Sequence, residues 1–224
     1  MSMKEQITAI LPMRAGSQRV KGKNERVIND KFLYEYIVES LLNANFVSNI
    51  IINTDIESVS GKYFKINKIN IMKRSDYLTG NCNMNDVIGH TLENVKGEYF
   101  IQVHATNPIL KASTIDRAIE SFMQNQKSCD SLFGVTKVQK RFWRKDGSSI
   151  NHNISDEPTT QNLEPFFEEN SCLYIFKRDS FYENKNRIGT KPYLFEISKI
   201  EAWDIDEEED FKIAEHMLIN SNFD

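Results

Sequence analysis

Short apolar runs separated by amphipathic stretches constrain this chain more than any other feature. Ile7–Leu11, Asn49–Asn53, Ile69–Met72, Tyr99–Val103 and Ser131–Val135 each read as a buried strand. Between them, Phe32–Asn45 places Leu33, Ile37, Val38, Leu41 and Leu42 on one helical face. Asn85–Val95 does the same with Val87, Ile88, Leu92 and Val95, and a helix from Ser113 uses Ile115, Ala118, Ile119, Phe122 and Met123. Strands alternating with helices predict an α/β fold with a mostly parallel central sheet flanked by helices. The 224 residues suit one domain, 1–224, with a substantial core.

In such a sheet ligands gather at the carboxyl ends of the strands, so the segment after the first strand is the place to look for chemistry. Pro12 is expected to end that strand, because proline lacks the ladder donor. A loop with Gly16, Ser17 and Gly22 follows and carries four cations, Arg14, Arg19, Lys21 and Lys23. A strand that runs into a basic, glycine-containing loop and then a helix can hold phosphates. It is not a P-loop: five residues separate Gly16 from Gly22, and Asn24 stands where Ser or Thr would hold Mg²⁺. A GxGxxG dinucleotide fingerprint is also missing here. The plain alternative is a solvated basic loop. Thr54-Asp55, at the tip of the second strand, reads equally as ligand contact or turn.

The string LPMRAGSQRVKGKN resembles the nucleotide-binding loop of the acylneuraminate cytidylyltransferase family, the CMP-sialic acid synthetases and their relatives acting on other 2-keto-3-deoxy sugar acids. The resemblance runs through most of the chain. Lys73-Arg74-Ser75-Asp76 and the polar run Thr79–Asn85 stand where the family contacts the base, which implies Arg74, Asn83 and Asn85 as nucleotide-binding residues. Helix capping explains the asparagines as well. His104-Ala105-Thr106-Asn107-Pro108 is similar to a second motif, commonly Q-P-T-S-P, with His104 in place of Gln and a structural role for that lone histidine favoured. Glu168-Glu169-Asn170-Ser171 falls on the motif R-P-N-G, so Thr106, Asn107 and Asn170 are the implied substrate contacts. Glu168 replaces the arginine that would pair with a sugar carboxylate, which leaves the acceptor open.

A second chemical stretch is Ala202-Trp203-Asp204-Ile205-Asp206-Glu207-Glu208-Glu209-Asp210. Asp206 is expected to cap a helix with Glu209 at its third position, which leaves Asp204 unused. Two carboxylates two residues apart point the same way on an extended segment and can hold one Mg²⁺ together with a triphosphate. The string also resembles the family's carboxy-terminal metal motif. By this reading Asp204 and Asp206 are the metal ligands, and Mg²⁺ the cofactor.

The resemblance implies a Rossmann-like fold and transfer of CMP from CTP to the anomeric hydroxyl of a sialic acid-like sugar acid, with release of pyrophosphate. Arg14, Lys23, Asp204 and Asp206 are the implied catalytic residues; Gly16, Ser17 and Asn24 add nucleotide contacts. Between Lys137 and Phe167 the pattern changes, and Phe142-Trp143-Arg144 followed by Asp146-Gly147 suggests a hairpin. Exposed aromatics there suit a dimer contact, and in the family a small β-rich insertion (137–167 here) joins two copies. Alternatives are the same transfer to a sugar 1-phosphate or phosphonate, and a non-catalytic nucleotide-binding scaffold.

Composition limits the partners. The net charge of −4 offers no general attraction for nucleic acid or anionic membrane. No stretch is long enough to span a bilayer, and Met1–Gln6 lacks a signal-peptide core. Cys82, Cys129 and Cys172 are odd in number and widely spaced, which suggests reduced thiols and a cytoplasmic protein. The four histidines show no metal-ligand spacing.

Overall fold

In the computed structural model of the chain, residues 7–17, 19–63, 65–79, 82–156 and 159–220 are described. Met1–Gln6 and the Gly80-Asn81 part of the polar run lie outside them. The chain begins in the middle of its sheet: β1 (Ile7–Met13) lies between β4 (Val47–Thr54) and β6 (Tyr99–Val103), parallel to both. Pro12 does not end β1, which continues to pair with Asn53 and Thr54 of β4. Pairing to β6 stops at Ile10, so beyond that point a residue without an N–H can face the open side at no cost.

A short 3₁₀ turn at Lys23–Glu25 and a two-stranded hairpin, β2 (Val27–Ile28) with β3 (Lys31–Phe32), separate the basic loop from α1 (Leu33–Asn43). The loop therefore does not run directly into a helix amino terminus, as the sequence suggested. Next come α2 (Glu57–Tyr63), β5 (Ile69–Lys73), α3 (Met84–Asn94), α4 (Ala112–Asn125) and β7 (Ser131–Val138). The chain ends with β8 (Phe166–Lys177), α5 (Arg178–Asn184), β9 (Pro192–Glu196) and α6 (Glu208–Ile219). The seven-stranded sheet has the order β5-β4-β1-β6-β8-β7-β9. Only β8 runs antiparallel, against β6 and β7, so the expected mostly parallel sheet is present.

Both faces are covered because the central strands are apolar on both sides. On one face, Leu11, Ile52, Ile101 and Ile175 pack with Ile37 and Leu41 of α1 and Ile115 and Phe122 of α4. On the other, Ile10, Phe100 and Phe176 meet Ile88 and Leu92 of α3 and Phe181 of α5. A third, smaller cluster sets the site: Val20 of the basic loop, Ile28, Leu33 and Ile205 pack with Phe211 and Ala214 of α6.

One further expectation is corrected. The α6 cap is Glu207, not Asp206: Asp210 Oδ2 accepts from the backbone N–H groups of Asp206 (3.1 Å) and Glu207 (2.8 Å). The register moves by one because burial of Ile205 and Phe211 fixes where the helix can begin. In the insertion, the hairpin read at Phe142–Gly147 is present as a short antiparallel pairing: Trp143 bridges Ser149, Arg144 N–H donates to the Ser148 carbonyl (2.8 Å) and Ile150 N–H to the Phe142 carbonyl (2.9 Å). Side chains add to it, with Asn151 donating to the Lys140 carbonyl (2.8 Å) and accepting from Phe142 N–H (2.9 Å).

Candidate active site

The basic loop leaves the carboxyl end of β1 tied at both ends. Ala15 N–H donates to Asp55 Oδ1 at 2.8 Å, and Asn24 Nδ2 donates to the Arg14 carbonyl at 3.0 Å. Thr54 Oγ1 accepts from Ile56 N–H at 3.0 Å, so Thr54-Asp55 forms the turn and anchors the loop. Gly22 sits at φ +62, a left-handed conformation that favours glycine, while a side chain on Gly16 would meet open space. Arg14, Ser17, Arg19, Lys23 and Asn24 line one side of a cleft of about 700 Å³; Arg74, Met84, His104 and Thr106 line the other.

The acidic turn is bonded to two residues of that cleft, Thr106 and Lys23. Ile205 N–H donates to the Thr106 carbonyl (3.0 Å), and Asn107 Nδ2 donates to the Trp203 carbonyl (3.3 Å). Lys23 Nζ donates to the Ile205 carbonyl and lies 3.9 Å from Asp206 Oδ1; Arg19 Nη2 reaches the same oxygen at 2.6 Å. Burial pulls the Lys23 ammonium below its usual range, while Asp204 and Asp206 act in the other direction. Ile205, between the two aspartates, is fully buried beside Val20. Apolar packing thus fixes the distance between cationic loop and acidic turn. The role of Arg19 as partner of Asp206 was missed in the sequence, since nothing local connects residues 187 positions apart.

Asp204 and Asp206 both border a second cleft, about 570 Å³, with Asn170, Glu168 and Glu169. Asp204 Oδ1 is shielded from solvent and has no hydrogen-bond partner. Burial raises its carboxyl above the usual range; a bond from Thr106 opposes this, and the neighbouring Asp206 adds to it. A buried carboxylate oxygen without a donor suits a cation from outside the chain. Among the described residues no three His, Cys, Asp or Glu side chains gather as a metal cage, so other ligands of such a cation must come from substrate or water.

The remaining predicted residues are held by neighbours. Arg74 is buried, donating through Nε and Nη2 to Asn53 at 3.1 and 3.2 Å. Asn83 caps α3 by accepting from Asn85 N–H (2.9 Å), and Asn85 Oδ1 accepts from Arg187 N–H (3.3 Å). Asn107 is buried with Oδ1 unpartnered. Asn170 accepts from Cys172 N–H (3.2 Å) and donates to Thr136 Oγ1 (3.1 Å). Ser171, on the motif's glycine position, has φ +57. His104 is driven down to about 3 by burial, with Arg187 and Lys23 adding to the effect, so the ring is neutral near pH 7.

Cations thus line one cleft and a pair of aspartates the cleft beside it. Residues 8–220 match the family described as cytidylyltransferase. The chain belongs to that family. The cytidylyltransferase is 28% identical to post-translational flagellin modification protein B of Campylobacter coli, over 97% of each chain. It is 27% identical, again over 97% of each, to the CMP-N,N'-diacetyllegionaminic acid synthase of Campylobacter jejuni subsp. jejuni serotype O:2. With the N-acylneuraminate cytidylyltransferase of Escherichia coli O18:K1:H7 it shares 22% identity, over 95% of this chain and 52% of that one. In three dimensions it resembles a CMP:2-keto-3-deoxy-manno-octonic acid synthetase solved with CTP (TM-score 0.72, 14% identity), covering 96% and 99% of the two chains. The last likeness is one of fold and agrees with the Rossmann-like expectation.

Proposed function

We propose that this cytidylyltransferase transfers CMP from CTP to the anomeric hydroxyl of a nonulosonate, a sialic acid-like 2-keto-3-deoxy sugar acid. The observation that carries the reading is that Arg19 and Lys23, which line the first cleft with Arg14, reach Asp206 on the adjoining cleft that Asp204 also borders. Relatives that match over nearly their whole length and are named for CMP-sugar acid synthesis support the acceptor class. In the reaction the acceptor oxygen bonds to the α-phosphorus as the bond to the β-phosphate bridging oxygen breaks, and pyrophosphate leaves.

Arg14 and Lys23 neutralise charge that grows on the pyrophosphate, a fixed electrostatic contribution in a partly shielded cleft. Ser17, Asn24 and the open backbone at Gly16 complete the phosphate side, and Arg74, Asn83 and Asn85 the base side. Thr106, Asn107 and Asn170 face the acceptor. Asp204 and Asp206 would hold Mg²⁺, which when bound would supply electrostatic stabilisation of the phosphates. Arg19, which pairs with Asp206, also lines the first cleft, within reach of phosphate oxygens bound there. Purified Arg14→Ala and Asp206→Ala proteins should melt near the wild-type temperature and release no pyrophosphate from CTP. Near-normal release by either folded variant overturns its assignment.

The reading extends to assembly and location. Trp143, Ile150, Ile154, Phe166 and Phe167 are exposed apolar side chains in and beside the 137–167 insertion, a surface suited to a second copy of the chain. Sedimentation should give a dimer that dissociates on Phe166→Glu/Phe167→Glu substitution. The cysteines, all unpaired among the described residues, and the CTP requirement support a cytoplasmic site of action. No described helix is long and apolar enough to cross a membrane.

A further inference from the structure

The acceptor of the proposed reaction is an acid, yet Glu168 and Glu169 make that rim of the second cleft repel anions. Arg19 is engaged by Asp206 and Lys23 by the Ile205 carbonyl. One half-buried cation, Arg187, takes no part in binding the nucleotide. The Arg187 guanidinium lies 3.6 Å over the Tyr174 ring, and its Nη1 donates to Gln102 Oε1 at 2.6 Å. No carboxylate stands within ion-pair distance of it among the described residues. Burial lowers its proton affinity, while Tyr174 and the Glu169 carboxylate act in the other direction. A partly shielded guanidinium with no carboxylate in direct contact carries a desolvation cost that a bound anion can offset.

The backbone around Arg187 is fixed in place although it has no regular structure. Arg187 N–H donates to Asn85 Oδ1 (3.3 Å), Ile188 N–H to Asn186 Oδ1 (3.0 Å) and Gly189 N–H to Ser131 Oγ (2.9 Å). Thr190 and Lys191 N–H donate to the Asp130 carboxylate at 2.8 and 3.1 Å. A Cβ on Gly189 would fall 2.3 Å from Asp130 Oδ1, so only glycine fits there without displacing that carboxylate. So many side-chain acceptors on one short segment hold the guanidinium ready before any ligand arrives.

Tyr174 connects this cation to both clefts. Its ring is 6.3 Å from that of His104, which lines the nucleotide cleft, and its hydroxyl donates to Glu169, which lines the second. His104 is neutral and offers a ring nitrogen, Nε2, without a partner. From this placement we infer that Arg187 binds the carboxylate of the acceptor sugar acid, with a planar fork that matches two carboxylate oxygens. Gln102 and Tyr174 orient it.

This inference rests on the nonulosonate reading, and one set of measurements separates the two. Wild type, Arg187→Ala and Arg187→Lys are assayed with CTP and either a nonulosonate or its C1 carboxamide. KM is measured for each substrate, and CTP affinity by calorimetry reports whether the variants are folded. The acceptor KM should rise about 10- to 100-fold in Arg187→Ala and less in Arg187→Lys, with the CTP KM within about twofold. Wild type should reject the carboxamide, and Arg187→Ala should accept both acceptors alike. A rise in CTP KM alone would place the guanidinium on nucleotide phosphate and overturn the inference. So would retained discrimination against the carboxamide, or equal loss of both affinities. A wild type that uses no nonulosonate at all defeats the proposed function instead.

Discussion

Replacing Asp204 by Asn should make the ligand-free protein more stable and the enzyme inactive. Asp204 Oδ1 is buried without a donor, and Asp206 adds a second negative charge nearby. An unsatisfied buried polar atom costs about 1–3 kcal/mol, more when charged. The amide keeps the shape, removes the charge and gives up the attraction of Lys23, which offsets part of the gain. The net expectation is a gain of about 1 kcal/mol, or roughly 2–4 °C in Tm for a chain of this length. Asp206→Asn should do the reverse. Its pair with Arg19 is largely exposed, so its loss should lower stability by about 0–1 kcal/mol. Both variants should lose about 100-fold or more in kcat. Thermal unfolding without ligands, then with CTP in the presence and absence of MgCl₂, followed by pyrophosphate release, measures all of this. Magnesium should raise the melting temperature of wild type in the presence of CTP and leave Asp204→Asn unmoved. An Asp204→Asn protein that melts below wild type, or turns over normally, would refute the reasoning.

Three other outcomes follow from the same packing. Phe211→Ala, in the cluster that joins the acidic turn to the basic loop, should cost about 3–5 kcal/mol in chemical denaturation and reduce turnover as the turn loosens. Ser171→Gly should be neutral or stabilising by up to about 1 kcal/mol, because Ser171 lies at φ +57; a clear loss would mean that its 3.4 Å contact with the Tyr174 hydroxyl outweighs the strain. Burial works against ionisation of Asp130, but bonds from Lys191, Thr190 and Ser131 outweigh it and hold the carboxyl below its usual range. Its folded pKa is therefore below its unfolded value, so its contribution is present above about pH 4 and is lost as pH falls through the folded pKa. Asp130→Asn should flatten the acid side of the stability profile, and an unchanged profile would contradict the assignment.

The strands and helices that form the sheet core were readable because their apolar spacing is dictated by burial: Tyr99–Val103 coincides with β6. Elements set by tertiary context were not. Neither β9, α5 nor the β2–β3 hairpin carries a strong period, and Pro12 stays in β1 only because β6 diverges after Ile10. In the site, Arg14, Lys23, Asp204 and Asp206 could be picked out from local strings. Arg19 as partner of Asp206, and Arg187 over Tyr174, depend on contacts 187 and 13 positions apart across the folded sheet, which no local string reports. The cap of α6 was off by one because the buried positions of Ile205 and Phe211, not the nearest acid, decide where that helix starts.

The central claim is tested most directly by product formation. Purified protein with Mg²⁺ and pyrophosphatase is given CTP, GTP, UTP or ATP against a panel of sugar acids, sugar 1-phosphates and phosphonates, and products are identified by mass. The account predicts a CMP-linked nonulosonate with CTP and little product from any other pairing. A CMP product only on a sugar 1-phosphate or phosphonate, or turnover with another nucleotide in preference to CTP, would contradict it.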